Sequence, residues 1–278
     1  MFSVVLVCLE NFQEYILTNI AQLLRLGYTQ IFILTNPHLF QEFEAFGDCI
    51  TLIDVEALDD PFGFRENATL DKDFRSGFWF HTSARFFVIH AFMQRYGICD
   101  VIHIENDVLL YYNAEGIIEK PKLFCIPFDT FERNIASIVF IPDAEIFGKI
   151  LAHYDFGKND MYNFSEIRKR TGLIQNLPIF VSTDEQSEER AFVSYGFQQY
   201  IFDAAAIGQF IGGVDPRNIP GDTRGFVNET CVIKYADEGD IFWKMIDGFN
   251  KPFIKIRDGR EILIFNLHIH CKDLALYC

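Results

Sequence analysis

Two short stretches of the chain combine residue types that can do chemistry. The first is "VIHIENDVLLYY", residues 101–112, where Glu105, Asn106 and Asp107 interrupt an apolar run. Burying unpaired carboxylates is costly, so these two belong either at a solvated strand end or around something positive. In an extended chain, residues two apart point to one side, so Glu105 and Asp107 can face a single ligand. Paired hard oxygens suit Mg²⁺ or Mn²⁺ shared with phosphate oxygens. The second stretch is "FNLHIHCK". A period of two puts Asn266, His268 and His270 on one face, and Phe265, Leu267 and Ile269 on the other. Imidazole is a ligand for Mn²⁺ or Zn²⁺, and Lys272 on the same face can reach a phosphate. Each stretch also has a plainer reading, as a solvated strand-to-loop corner and an exposed strand end.

Three further groups accompany them. Asp203 stands between a strand-like and a helix-like segment, where it can cap a helix or serve as a general base beside a reacting hydroxyl. In "GGVDPRN", Gly212 and Gly213 allow close backbone approach, Asp215-Pro216 makes a turn, and Arg217, with Arg224 beyond, can bind an anion. His81 and Arg85 are four residues apart on one predicted helix, and their shared face can look into the same cleft.

The elements that must position these groups follow a βαβ rhythm. "SVVLVCL" is a β-branched apolar run, as in a strand covered on both faces. "ENFQEYILTNIAQLLRLG" has apolar residues at helical spacing and stops at Gly27; "QIFILTN" and "CITLIDV" are the next strands. A polar, turn-rich loop spans residues 59–77. "FWFHTSARFFVIHAFMQRYG" is then a helix closed by Gly97, leading into the strand "DVIHIE". The spacing predicts a mainly parallel sheet, with the acids at the C-terminal end of a central strand, the edge where open α/β sheets bind ligands. Later, "KLFCIPF" and "ASIVFIP" read as an antiparallel extension, residues 155–175 and 181–190 as helix or loop, and "REILIFNLHIHCKDL" as a last strand with a tail.

Composition narrows the function classes. Half of the 278 residues are hydrophobic and 31 are Phe, so the chain has the material for a large core. Against 24 basic residues stand 39 acidic ones, a formal charge of −15, which argues against broad contact with nucleic acid or anionic membrane. Seven cysteines without CxxC pairs fit a reducing cytoplasm. The apolar start "MFSVVLVCLE" is too short for a membrane span and lacks signal-peptide anatomy, so no stable membrane insertion is expected. The sequons at Asn67, Asn163 and Asn228 are then expected to stay unmodified.

Taken in order, "HIENDVLLY", "FDAAAIGQFIGGVDPRN", "GFVNETCVIKY" and "NLHIHCK" resemble glycosyltransferases of the GT-A fold, and a branch found in bacteria and large DNA viruses. The DxD motif of that family corresponds to Glu105-Asn106-Asp107, with Glu in the first position. The resemblance implies one GT-A catalytic domain over residues 1–278: a Rossmann-like, mainly parallel sheet flanked by helices. Residues 1–110 would form a nucleotide-binding half and residues 111–278 an acceptor-binding half, with a smaller acceptor-side extension to the sheet. It implies sugar transfer from a nucleotide diphosphate sugar, UDP above all, to a hydroxyl of a glycan or related acceptor, with inversion; in a retaining transfer Asp203 would only bind acceptor or sugar. The cofactor would be Mn²⁺ or Mg²⁺, in the cytoplasm (the host's, if the chain is viral). Asp107 would bind the ion directly, and Glu105 through water or else hold the ribose. The ligating histidine would be His270 first and His268 second. Asn106, His81 and Arg85 would line the donor site, and Lys272 would neutralise the departing diphosphate. Val7, Cys8 and Leu9 would border the base, and Asp203 would be the general base, with Asp184 and Glu185 as substitutes. Two alternatives stand beside this reading: a metal-dependent hydrolase using His268 and His270, and a non-catalytic sugar-nucleotide-binding module.

Overall fold

The computed structural model describes residues 1–130, 132–179, 200–205, 207–211, 213, 215–217, 239–256 and 259–278. Asp184, Glu185, Gly212, Arg224 and the stretch around Asn228 lie outside them.

The chain opens with β1 (Ser3–Cys8), α1 (Tyr15–Arg25), β2 (Ile31–Thr35) and β3 (Thr51–Asp54). After the short α2 (Phe64–Asn67) comes α3 (Phe78–Tyr96), which ends at Gly97 in the left-handed conformation (φ +66°), followed by β4 (Val101–Ile104). β5 (Val108–Leu110), β6 (Phe124–Ile126), β7 (Phe128–Thr130), β8 (Arg133–Asn134) and β9 (Ile138–Ile141) precede α4 (Ala144–Leu151), α5 (Asp160–Thr171) and β10 (Ile174–Asn176). The last elements are β11 (Tyr200–Phe202), α6 (Gly208–Ile211), β12 (Gly239–Ile246), β13 (Phe249–Ile256) and β14 (Glu261–His268).

A seven-stranded sheet runs β10-β6-β9-β4-β1-β2-β3, parallel throughout except for the antiparallel β9. This is the mixed, mainly parallel α/β architecture that the strand-helix rhythm predicts; of the two strands expected as an antiparallel extension, β9 is antiparallel and β6 runs with the parallel set. The sheet takes strands from both sides of residue 110.

β1 is buried on both faces and sorts its side chains by alternation. Val4, Leu6 and Cys8 join the core under α1, while Val5 and Val7 join the core under α3, α4 and α5. The first core continues into a second sheet, β11-β14-β13-β12, to which β5 is paired through β14. The β12–β13 hairpin was not expected from the sequence. It turns at Asp247 and Gly248, both at positive φ (52° and 79°), the geometry of a tight two-residue hairpin loop.

One topological fact positions the site. From β1 the order runs to β2 and β3 on one side and to β4 on the other, so the strand order reverses between β1 and β4. In open α/β sheets a crevice opens beyond the strand ends at such a point. The pairing of Val5 with His103, continued along the strands, sets Val7 level with Glu105.

Candidate functional site

Glu105, Asn106 and Asp107 form the corner between β4 and β5. Glu105 N–H donates to Ser137 O (2.9 Å), and Val108 N–H donates back to Glu105 O (3.0 Å). From α1, the buried Asn19 Nδ2 donates to Asn106 O (3.1 Å) and Val108 O (2.8 Å), so the corner's carbonyls are satisfied without water. β5 then pairs antiparallel with β14, Val108 opposite His268, and Ile269 N–H donates to Asp107 O (2.9 Å). That register carries the histidine stretch to the acids across more than 160 residues of sequence.

His268 Nε2 lies 3.4 Å from Glu105 Oε2 and 3.3 Å from Asp107 Oδ2. One ligand atom from each of the three residues lies within 4.8 Å of the others. His268 Nδ1 meets the Ala204 carbonyl at 2.8 Å, which holds Nε2 toward the carboxylates, as an outer-shell partner orients a metal-binding imidazole. Burial favours the neutral ring, but Asp107 and Glu105 outweigh it and raise the His268 pKa to about 9. Burial likewise works against the Asp107 charge, yet Lys272 and His268 hold that carboxyl well below the usual range. Two carboxylates and an imidazole converging inside a cleft are a donor set that fits Mn²⁺ or Mg²⁺.

The histidine order is a correction: His268 joins the cluster, not His270. His268 ends β14 with its backbone and Nδ1 both pinned, whereas His270 lies beyond the β5 pairing. The two rings are 4.3 Å apart, and His270 Nε2 is buried without a hydrogen-bond partner. Burial and the neighbouring His268 charge push the His270 pKa down to about 3, so the ring is neutral.

Arg85 reaches the cluster from α3, as its helix face predicts, but it grips protein. Its guanidinium donates to Glu105 Oε1 (2.5 Å) and to Asp160 Oδ2 (3.0 Å), and the residue is 7% exposed. Asp160 is the first residue of α5 and lines the cleft. Burial raises its pKa to about 6, with Arg85 pulling the other way. Lys272 Nζ contacts Asp107 Oδ2 directly and stands 3.9 Å from Asp215 Oδ2. Asp215 is in turn held by Arg217 (2.7 Å) and Arg75 (3.4 Å).

Asp203 is the second correction. It is fully buried, and its two oxygens accept the backbone N–H groups of Ile207 (2.8 Å), Gly208 (2.8 Å) and His268 (2.9 Å). A carboxylate so engaged beneath the cleft caps backbone and does not meet an acceptor hydroxyl; of its two expected roles, the capping one is observed. Gly208 is required beside it, because a Cβ there would stand 2.0 Å from His268 O.

Val7 and Leu9 line the cleft at the end of β1. Cys8, grouped with them from the sequence, points to the opposite face, where its thiol contacts Asn11 O (3.4 Å) and is 1% exposed. Asn106 borders the cleft, but its amide ties the corner to Val7 O (2.9 Å) and Gln13 Oε1 (2.7 Å). His81 lies on the cleft wall one turn before Arg85, its pKa lowered by burial. The cleft encloses about 500 Å³ among the described residues. Tyr15, Arg75, Trp79 and Asp160 also line it and were not singled out from the sequence. Asp160 looks there like an ordinary acid in a first helical turn; Arg75 and Trp79 sit at a loop–helix junction with no motif.

No protein-family model matches the sequence, and no curated protein matches it either. Among solved structures, the chain is similar to the glycosyltransferase GlyE of Streptococcus pneumoniae TIGR4, with TM-score 0.42 and 13% identity over 64% of this chain and 46% of that one. It is similar to the galactosyltransferase LgtC, solved with donor and acceptor sugar analogues, with TM-score 0.43 and 12% identity over 69% and 82%. Mouse xyloside xylosyltransferase 1 has TM-score 0.43 and 12% identity over 64% and 85%. The chain thus spans less than half the length of GlyE. These likenesses are of fold.

Proposed function

We propose that the chain is a divalent-metal-dependent glycosyltransferase, moving a hexose from a nucleotide diphosphate sugar, UDP-linked by preference, to a hydroxyl of a glycan or related acceptor. The observation that carries this reading is the Glu105–Asp107–His268 cluster in a cleft at the switch point of an α/β sheet. These three residues would hold Mn²⁺ or Mg²⁺, which when bound supplies positive charge against the departing diphosphate. The chain's own groups prepare the rest. Arg85 orients Glu105, the Ala204 carbonyl orients His268, and Val7 and Leu9 offer an apolar border for a base. Lys272 with Arg217 and Arg75 gathers positive charge where a diphosphate would sit, preorganised before any charge develops.

Because Asp203 caps backbone, an inverting transfer would need another base; Asp160, whose carboxylate borders the cleft and would have to be released from Arg85 to accept a proton, is the candidate its position offers. The anomeric configuration of the product decides whether such a base is needed, and the kcat of Asp160→Asn decides whether Asp160 is that base. A zinc hydrolase would need His268 and His270 on one ion, and the His270 ligand atom lies outside the cluster. The experiment for the main reading is calorimetry of UDP and other nucleoside diphosphates with and without Mn²⁺. Binding should strengthen with Mn²⁺ in the native chain and lose that dependence in Asp107→Asn. Equal binding with and without the ion, for every nucleotide, would overturn the reading.

A further inference from the structure

The Asp107 oxygen facing His268 is itself in contact with a cation. Lys272 Nζ and His268 Nε2 meet the same atom, Oδ2, the His268 nitrogen at 3.3 Å. The side chain of Lys272 is 16% exposed, and its backbone is set by a left-handed conformation (φ +66°) and an N–H bond to Ile269 O (3.2 Å). The stem, by contrast, is a flexible chain with three rotatable donors at its tip. A second carboxylate, Asp215, waits 3.9 Å from Nζ, on the side where Arg217 and Arg75 lie.

We infer that Lys272 is an internal counter-cation that a divalent ion must displace, and that this displacement couples metal binding to diphosphate binding. The inference rests on the metal reading above and adds a role that reading does not contain. A divalent ion and an ammonium group on one carboxylate oxygen repel each other, so Lys272 leaves Asp107 when the ion arrives. Near Asp215 the ammonium joins two guanidinium groups around a single carboxylate, an arrangement rich in positive charge that an incoming diphosphate relieves. The metal alone therefore binds weakly, because it must push Lys272 into like charges. The metal and diphosphate together bind well, because the anion receives the released ammonium. By reciprocity, the ion strengthens diphosphate binding by the same factor.

The test is Mn²⁺ binding without nucleotide, followed by the electron paramagnetic resonance signal of the free ion, for the native chain, Lys272→Met and Lys272→Arg. Met keeps an apolar stem against Tyr15, whose ring lies 5.6 Å from Nζ, and removes the charge; Arg keeps the charge. Lys272→Met should bind Mn²⁺ at least about fivefold more tightly than the native chain, and Lys272→Arg should not. Unchanged or weaker binding in Lys272→Met, with the native chain still binding Mn²⁺, overturns the displacement alone. No Mn²⁺ binding by any of the three overturns the metal reading itself, and this inference with it. Thermal melting of the variants, taken in parallel, identifies any that has lost its fold, and Lys272→Ala then replaces it.

Discussion

Asp203 Oδ2 accepts the backbone N–H of His268 at 2.9 Å while the His268 ring faces Glu105 and Asp107 on the other side of the strand end. One buried carboxylate thus fixes where β14 delivers its imidazole. Asn in its place keeps one acceptor oxygen and turns an amine toward N–H groups that need an acceptor. Each N–H left unsatisfied costs about 1–3 kcal/mol. Asp203→Asn should therefore melt at a lower temperature, and as His268 loses its anchor, Mn²⁺ affinity should fall by about 10–100-fold. Unchanged melting and unchanged Mn²⁺ affinity, together with lost sugar transfer, would instead restore Asp203 as a base.

Arg85 holds Glu105 at 2.5 Å and Asp160 at 3.0 Å inside the protein, so the bridge is structural before it is catalytic. Replacing it with Met preserves much of the volume but strands the Asp160 carboxylate and leaves Glu105 with His268 alone. Breaking a buried pair in this way typically costs about 3–5 kcal/mol. Urea unfolding of Arg85→Met should show a loss of that order. The double variant Arg85→Met with Asp160→Asn should recover part of it, because one stranded charge is gone. No recovery in the double variant would mean that Asp160 is not a true partner of Arg85.

The elements that carry the site were readable where pattern and chemistry coincide. The β-branched run of β1, the helix ending at Gly97 and the alternation of "FNLHIHCK" each follow from residue types a few positions apart. Alternation also explains the failure at Cys8: a run of three consecutive residues cannot all face one cleft in a strand. The β12–β13 hairpin was legible in principle, since Asp247-Gly248 between alternating residues is a turn signal. The choice between His268 and His270 was not, because both share a face and only the β5–β14 register separates them. Nor was the fate of Asp203, which depends on Gly208 letting α6 approach the His268 backbone.

The raised pKa of His268 gives the site a pH dependence with a definite sign. The carboxylate neighbours of His268 hold its folded value at about 9, against 6.5 for an unperturbed ring. The charged ring therefore adds stability that is fully present below about pH 6.5 and is lost as pH rises through about 9. A metal ion needs the His268 Nε2 lone pair, so binding near neutrality must expel a proton. Mn²⁺ affinity should accordingly rise with pH, by up to about tenfold per unit, from about pH 6.5 toward 9. Calorimetry in two buffers of different ionisation enthalpy at pH 7.5 should register close to one proton released per ion bound. His268→Gln, which keeps a polar side chain but cannot hold that proton, should bind Mn²⁺ more weakly and release none. Native binding that releases no proton, with affinity flat across this range, would mean that the ion does not reach His268.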